Sequence, residues 1–147
     1  MFHTMSDTKI ERYSRNIILP EIGGKGQEKL LKSKVLIVGA GGLGSPLIMY
    51  LAAAGIGNIT IVDHDKVELS NLQRQVVHKA NSLGKEKASS AKIFINELNP
   101  DINVIAKNIR LDIHNAEKLI TESDIVADGS DNFDTRYLIA DLCHIKK

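Results

Sequence analysis

The sequence has few of the features that mark a metalloprotein, a disulfide-bonded secreted protein or a membrane protein. Its one cysteine, Cys143, cannot form an internal disulfide, and without a Cys-x-x-Cys pair the chain offers no zinc ligands. The most apolar stretch, residues 47–56, is far shorter than the ~20 residues that cross a bilayer. Residues 1–9 lack the basic-then-apolar layout of a secretory signal. We therefore expect a cytoplasmic protein that has no membrane partner.

The chain also lacks an excess of charge of either sign. Lysine and arginine number 19, aspartate and glutamate number 18, and the formal net charge is +1. This balance gives no reason to expect a nucleic acid as a partner, so any phosphate recognition must come from a few placed residues. At 147 residues and 43% hydrophobic, the chain has the size of one globular domain with a core of its own.

Strand-like and helix-like patterns alternate along most of the chain. Residues 1–33 are polar and mixed, and they predict an N-terminal helical segment with a break at Pro20 and the Gly23-Gly24 pair. Its predicted helices are residues 10–15 and 27–32. From residue 34 onward the predicted strands are 35–38, 58–63, 103–107 and 125–128, and the predicted helices are 43–54, 85–98, 116–121 and 133–143. Within helix 85–98, one face carries Ala88, Ala91, Ile95 and Leu98, which are expected in the core.

This alternation predicts an α/β fold, Rossmann-like and doubly wound, with a mostly parallel sheet and helices on both faces. We expect the domain, residues 34–147, to be incomplete at its C-terminus, after the fourth strand–helix unit. The fourth strand would then be an unpaired apolar edge. A fragment, a truncated gene product and half of a split enzyme are all compatible with the sequence.

A glycine-rich turn lies between the first predicted strand of this domain and the helix that follows. Residues 39–44 fit G-x-G-x-x-G, with glycines at Gly39, Gly41 and Gly44 and a further one at Gly42. Such a turn lets backbone N–H groups approach phosphate at the start of a helix. Asp63 ends the next strand, where a carboxylate can accept hydrogen bonds from ribose. The alternative is that the glycines only permit tight packing. By itself, the pattern favours a dinucleotide over ATP.

Three charged residues beyond the second strand change that balance. Arg74 and Lys87 are predicted at the carboxyl side of the sheet, where this fold binds ligands, and Asp131 follows the fourth strand. A triphosphate needs more cations than a dinucleotide, and a carboxylate beside it is repulsive unless Mg²⁺ lies between them. The three residues therefore indicate ATP with Mg²⁺. Alternatively, Arg74 and Lys87 are merely solvated and Asp131 is the N-cap of the last helix.

Several strings in the chain, taken together, resemble the ThiF/MoeB type of adenylyltransferase, the bacterial relatives of the ubiquitin-activating enzymes. The resemblance runs from about Glu11 to the end of the chain. The strings are Arg12-Tyr13-Ser14-Arg15-Asn16, the turn at residues 39–44, Asp63-His64-Asp65, Ser70-Asn71-Leu72-Gln73-Arg74-Gln75 and Ser130-Asp131-Asn132-Phe133. The string at residues 70–75 is far more specific than the glycine-rich turn.

The resemblance implies a role for each matching residue. It implies that Asp63 binds the ribose, that Asp131 holds Mg²⁺, and that Arg15 reaches the ATP of a neighbouring subunit, which makes a homodimer the expected assembly. The other residues that it implies in nucleotide binding are Gly39, Gly41, Gly42, Leu43, Gly44, Asp65, Asn71, Arg74, Gln75, Lys87 and Asn132. Among them, Arg74 and Lys87 would act with Arg15 and Asp131 in catalysis.

The reaction implied is attack by the C-terminal glycine carboxylate of a small ubiquitin-like sulfur-carrier protein ending in Gly-Gly on the α-phosphorus of ATP. Sulfur carriers of molybdopterin and of thiamine biosynthesis are both compatible. Full-length relatives continue with further strands, often a reactive cysteine, and in many cases two Cys-x-x-Cys pairs for zinc, which are absent here. Cys143 lies in an apolar helix and is expected in the core. The histidines at 64, 78, 114 and 144 share no metal-ligand spacing and are expected to be surface or structural residues.

Two other functions remain open at this point. An NAD-dependent oxidoreductase domain would explain the glycine-rich turn and Asp63, but it would leave Arg74, Lys87 and Asp131 without a role. A remnant that binds nucleotide or dimerises without catalysis is the second alternative. Preference for NADH over Mg·ATP would favour the first, and pyrophosphate exchange with a partner would exclude the second.

Overall fold

The computed structural model describes residues 5–146 and contains a four-stranded parallel sheet. The strands are β1 (Lys34–Val38), β2 (Asn58–Val62), β3 (Asn103–Lys107) and β4 (Ile125–Asp128). Their order across the sheet is β3-β2-β1-β4, and each adjacent pair is parallel and in register. In this order the chain builds outward from β1 in one direction and then crosses to its other side, as doubly wound sheets do.

Over residues 5–146, seven helices and two short 3-10 turns surround the sheet. The helices are α1 (Asp7–Arg12), α2 (Ser14–Ile17), α3 (Gly23–Lys32), α4 (Gly44–Ala54), α5 (Lys87–Leu98), α6 (Ile113–Thr121) and α7 (Phe133–Ile145), and the 3-10 turns are Leu69–Asn71 and Ala80–Ser82. Within the described residues, no helix is both long enough and apolar enough to cross a membrane. Residues 1–4, part of the predicted N-terminal segment and of the stretch without a secretory signal, lie outside the described residues, as does residue 147. The predicted boundary between the N-terminal segment, residues 1–33, and the domain, residues 34–147, stays a prediction.

Side chains of β1 alternate between two separate cores, because successive residues of a strand point to opposite faces. Val35 and Ile37 pack with residues of α4 and α5 on one face. Leu36 and Val38 pack with residues of α6 and α7 on the other. Each face of the sheet is therefore covered by two helices, which confirms the predicted fold class. Cys143 is partly buried against the second core, as expected.

Most predicted elements are present, with differences at their ends. The Gly23-Gly24 pair begins α3 and does not precede it, and Gly24 is buried. The predicted helix 10–15 is divided into α1 and α2 at Tyr13. Helix α5 begins at Lys87, two residues later than predicted, and its last residue, Leu98, is 40% exposed although the helical pattern placed it in the core. The other three residues of that face, at 88, 91 and 95, are fully buried.

A buried polar network attaches the N-terminal helices to the ends of α4 and α5 that lie away from the glycine-rich turn. The Tyr13 hydroxyl accepts a hydrogen bond from Asn99 Nδ2 at 2.8 Å, and Asn99 also donates to the carbonyl of Ala52. Gln27 Nε2 donates to the carbonyl of Ala54 at 2.9 Å. Gly55, at φ 87°, ends α4, and a Cβ there would lie 2.6 Å from the Tyr13 ring.

Three glycines meet where β1, β4 and α4 converge. A Cβ on Gly44 would lie 1.8 Å from the carbonyl oxygen of Gly39, and one on Gly39 would lie 2.8 Å from the carbonyl oxygen of Gly129. A Cβ on Gly129 would lie 2.9 Å from the amide nitrogen of Gly44. All three distances are shorter than real Cβ atoms make, so the backbones can approach this closely only without side chains.

We predict that Gly44→Ala lowers the free energy of unfolding by at least about 3 kcal/mol, because the methyl group overlaps a backbone carbonyl that cannot rotate away. Urea denaturation followed by circular dichroism measures this change. Gly42→Ala is the matched control, since its Cβ would meet only side-chain atoms of Arg74, at 3.6 Å or more. Equal stability of the two variants would contradict the prediction.

Candidate functional site

A cavity of about 710 Å³ opens at the carboxyl ends of the strands, where doubly wound folds bind ligands. The glycine-rich turn lies on one side of it, and the loop after β4 lies on another. The lining residues are Val38, Gly39, Gly41, Gly42, Leu43, Asp63, His64, Asp65, Arg74, Gln75, Lys87, Arg110, Leu111, Gly129, Ser130, Asp131, Asn132 and Thr135.

The glycine-rich turn presents free backbone donors to this cavity. Gly39 adopts φ 89°, which turns the chain from β1 toward α4, and its own amide donates to the carbonyl of Val62. Among the residues that the structure describes, the amides of Gly41 and Gly42 donate no hydrogen bond. They precede the first turn of α4, where the helix dipole adds partial positive charge. This arrangement suits an anion, and a phosphate above all.

Two side chains of the loop after β2 lie against the turn. A Cβ on Gly42 would be 3.6 Å from Cδ of Arg74, so the arginine stem passes over the turn, and its Nη1 donates to the carbonyl of Ser70. Gln75 is 4% exposed, and its Oε1 has no hydrogen-bond partner among the described residues. Ser130 Oγ, on the opposite wall, is likewise buried without a partner. Buried polar atoms of this kind need a partner, which a polar ligand in the cavity can supply.

Asp63 is tied into the backbone around the turn. One carboxylate oxygen accepts from the amide of Ala40 at 2.7 Å, and the other accepts from the amide of Asp65 at 2.8 Å. The residue is 9% exposed and still lines the cavity. Each carboxylate oxygen has a second lone pair, so the expected ribose contact is compatible with these hydrogen bonds.

Lys87 is not solvated, so that alternative is wrong for this residue. Its side chain is 8% exposed, and its Nζ lies 3.0 Å from Oδ2 of Asp65, whose side chain is 53% exposed. The Lys87 amide also donates to the carbonyl of Asp65. A buried ammonium needs such a partner, because its desolvation is unfavourable. Much of the charge of Lys87 is therefore already balanced before a ligand enters.

Asp63, His64 and Asp65 form a group that could offer three ligand atoms to a metal ion, all within 4.8 Å of one another. The sequence spacing of histidines did not suggest this group. Both Asp63 oxygens accept amide hydrogens, however, and the Lys87 ammonium already lies beside Asp65. A second cation at this position would be repelled by that ammonium, so these residues alone do not favour a metal.

Asp131 is exposed and is not the N-cap of α7, so that alternative is wrong. The cap is Asn132, whose Oδ1 accepts from the amide of Thr135 at 2.9 Å. Arg136, one turn into α7, donates from Nε and Nη2 to the carbonyl of Ser130 and so holds the loop in place. Among the described residues, Asp131 has no hydrogen bond or ion pair of its own. Its carboxylate is therefore free to meet a cation in the cavity.

Three of the residues singled out from the sequence lie off the cavity wall. Arg15, on α2, is exposed and outside the cavity. Asn71 stands on a 3-10 turn, where its Oδ1 accepts from the amide of Glu68 at 3.4 Å. Gly44 is buried beneath the turn, where its role is close packing.

Sequence reasoning missed one cation of the site. Arg110 lines the cavity three residues after β3, is exposed, and its guanidinium has no hydrogen bond or ion pair among the described residues. The signal that identified Asp63, a polar residue just beyond the carboxyl end of a parallel strand, applies to Arg110 as well. The other lining residues that were not singled out as site residues are Val38, His64, Leu111, Gly129, Ser130 and Thr135.

Comparison with known families and curated proteins gives one consistent result. The sequence profile of the ThiF family matches residues 13–147. The chain is 50% identical over 143 residues to the SAMP-activating enzyme E1 of Haloferax volcanii, covering 97% of this chain and 53% of that protein. It is 51% identical over 140 residues to a probable molybdopterin-synthase adenylyltransferase of Porphyra purpurea, covering 95% of this chain and 37% of that protein. The chain thus spans about half or less of these two relatives.

A solved structure shares the fold described above. The E. coli tRNA N6-threonylcarbamoyladenosine dehydratase TcdA, crystallised in complex with ATP, superposes with a TM-score of 0.89 at 26% sequence identity. The match covers 95% of this chain and 57% of that one.

Proposed function

The chain belongs to the ThiF family, and on that premise we propose that its cavity binds ATP and that it adenylates the C-terminal glycine carboxylate of a small ubiquitin-like protein. The names of the two curated relatives, an E1-type activating enzyme and an adenylyltransferase, support the reaction class. The ATP complex of the E. coli neighbour supports the nucleotide. Because the chain spans about half or less of its curated relatives, both substrate and activity are proposals for the protein of which this chain is all or part.

One observation carries the proposal. Among the described residues, the cavity brings together a turn with two free backbone amides, an arginine without a carboxylate partner, Arg74, and a carboxylate without a cationic partner, Asp131. A polyphosphate uses the first two features, and a metal ion bound to it uses the third. A dinucleotide, whose two phosphates the turn can satisfy, leaves Asp131 unused.

The strand order suggests how ATP lies in the cavity. The phosphates would sit on the amides of Gly41 and Gly42 at the end of β1, with Arg74 above them. The ribose would meet Asp63 at the end of the neighbouring strand β2. Adenine would then extend toward the end of β3, where Arg110 and Leu111 lie and where a guanidinium can stack on the base.

The donor set near the phosphates fits Mg²⁺, which is commonly held by one or two carboxylates together with phosphate oxygens. Asp131 would hold it. Bound there, the ion would offset charge on the phosphate oxygens and on the leaving group.

The proposed reaction requires the protein to align the two reactants and to neutralise charge on the phosphate oxygens. The carboxylate of the ubiquitin-like tail is itself the nucleophile, so it attacks the α-phosphorus without a general base. The bond from that phosphorus to the bridging oxygen breaks, pyrophosphate leaves, and an acyl-adenylate forms. Arg74 and Lys87 would stabilise charge on the phosphate oxygens, with Lys87 held in place by Asp65.

The partner and the assembly follow from the same proposal. The protein substrate would be a sulfur-carrier type of ubiquitin-like protein ending in Gly-Gly. Arg15 is exposed and lies outside the cavity of its own chain. This position supports a homodimer in which Arg15 reaches the nucleotide of the other subunit.

Calorimetric titration tests the nucleotide part of the proposal. We expect ATP to bind this chain with Mg²⁺ present, to bind more weakly when Mg²⁺ is chelated, and to be favoured over NADH, because the proposed site takes a polyphosphate together with a metal ion. Preference for NADH would favour the oxidoreductase alternative. Absence of binding by either nucleotide would contradict the proposed site in this chain.

Pyrophosphate exchange tests the adenylation step. With ATP, Mg²⁺ and a ubiquitin-like protein ending in Gly-Gly, we expect labelled pyrophosphate to enter ATP, because acyl-adenylate formation is reversible. The matched control is the same partner with its C-terminal carboxylate amidated, which cannot attack. Exchange that is absent, although ATP binds, would favour a nucleotide-binding protein without catalysis.

Asp131→Ala tests the metal role. We expect the variant to fold normally and to bind ATP with equal affinity with and without Mg²⁺, about tenfold or more below the wild-type affinity with Mg²⁺, because a charge-assisted contact is lost. Asp134→Ala, an exposed carboxylate in the first turn of the same helix but outside the cavity, is the control. If Mg²⁺ dependence survives in Asp131→Ala, the metal assignment is wrong.

A further inference from the structure

His78 is buried beneath the glycine-rich turn and makes two hydrogen bonds. It belongs to the loop between β2 and α5, and it is 5% exposed. Its Nε2 lies 2.9 Å from the carbonyl oxygen of Ala40, the second residue of the turn. Its Nδ1 lies 3.0 Å from the hydroxyl oxygen of Ser90 on α5. The imidazole therefore bridges the turn and the helix that begins at Lys87.

The chemistry of these partners determines where the ring proton lies. A carbonyl oxygen can only accept, so Nε2 must carry the hydrogen that it donates to Ala40. In the neutral ring Nδ1 is then an acceptor, and the Ser90 hydroxyl donates to it. Both ring nitrogens are thus satisfied in one neutral tautomer, which buried polar groups require.

The contact completes a clamp on one residue of the turn. The amide of Ala40 donates to Asp63 at 2.7 Å, and its carbonyl accepts from His78. Ala40 is thereby held on both sides, by the carboxylate at the end of β2 and by a ring anchored on α5. Asp63 and Lys87 belong to those same two elements, so the turn keeps a fixed position relative to both residues.

Two charged groups act on the ring, Lys87 from α5 and Asp63 from the end of β2. Burial, which disfavours the charged imidazolium, is the main cause that lowers the pKa of His78 below its ordinary value, and Lys87 adds to that effect. The hydrogen bond to Ala40 and the charge of Asp63 oppose it. The ring is consequently neutral at neutral pH, as the bridging geometry requires.

We propose that His78 is a positioning residue for nucleotide binding, one that holds the amides of Gly41 and Gly42 in register with Lys87 without touching the ligand. The proposal rests on the proposed function, because it assumes that phosphate binds to these amides. Alignment of preorganised donors is the main contribution that such a site makes. Displacement of the glycine-rich turn would therefore lower the affinity for the nucleotide even with every binding residue present.

Two substitutions of His78 distinguish the effect of its two hydrogen bonds from the effect of its volume in the core. His78→Leu has a similar volume but makes neither hydrogen bond, and we expect it to raise the Kd for Mg·ATP roughly tenfold. His78→Gln can donate to Ala40 through its amide and accept from Ser90 through its oxygen, so we expect a Kd within about threefold of wild type. His114→Gln, at an exposed position of α6 outside the cavity, is the control and should leave the Kd unchanged.

Readouts without ligand keep this proposal distinguishable from the proposed function. In ¹⁵N NMR we expect the His78 ring to be protonated at Nε2 only, and its pKa to lie below the ordinary value for histidine. The order parameters of the Gly41 and Gly42 amides should fall in His78→Leu and stay at the wild-type value in His78→Gln. If the wild-type protein binds no ATP but these NMR results are obtained, the proposed function is wrong, while the role of His78 in positioning the glycine-rich turn is supported.

The pH profile of stability tests whether the buried ring is neutral in the folded protein. The folded pKa lies below the unfolded one, so the unfolded chain gains the proton first as the pH falls. Wild type should therefore lose stability below about pH 6.5 relative to His78→Gln, and not above it. Protonation of Nδ1 in place of Nε2, or wild-type affinity and turn rigidity in His78→Leu, would overturn the proposal. Should His78→Leu not fold, His78→Asn, whose shorter amide reaches Ser90 but not Ala40, takes its place with the same expected losses.

Discussion

The site depends on the close approach of three backbone segments that carry no side chains where they meet. Gly39 after β1, Gly44 at the start of α4 and Gly129 after β4 are packed so tightly that a methyl group on any of them would overlap a neighbouring backbone atom. This contact determines where α4 begins relative to the two strands. The orientation of the free amides of Gly41 and Gly42 follows from it, and so does the distance between the turn and the loop that carries Asp131.

The charged groups of the cavity differ in whether the protein itself already supplies them with a partner. Asp63 and the Asp65–Lys87 pair are committed to backbone amides and to each other. Arg74, Arg110 and Asp131 have no oppositely charged partner among the described residues. The first group connects the loops that line the cavity, whereas Arg74 and Asp131 of the second group would suit an anion that carries a metal ion.

The sequence predicts the fold well because its signals are local. Continuous apolar runs indicate buried parallel strands, and the glycine-rich turn lies between a strand and a helix as the pattern requires. Polar partnerships are harder to predict. The ion pair of Lys87 joins residues 22 positions apart, and the capping of α7 by Asn132 and not Asp131 is a difference of one residue. Arg110 lies in the loop after β3, which is separated by β2 from β1 and its glycine-rich turn, so that only the strand order of the sheet brings Arg110 to the cavity.

The two helices that flank the glycine-rich turn are fixed at both ends. At the turn, Ala40 is attached to β2 and, through His78, to α5, while at the far end Tyr13 and Asn99 tie the N-terminal helices to α4 and α5. Sliding of α4 against α5 would break buried hydrogen bonds at either end. Closure of the cavity by a shear motion of α4 against α5 is therefore unfavourable. Conformational change on ligand binding is instead expected in the exposed side chains at the rim of the cavity.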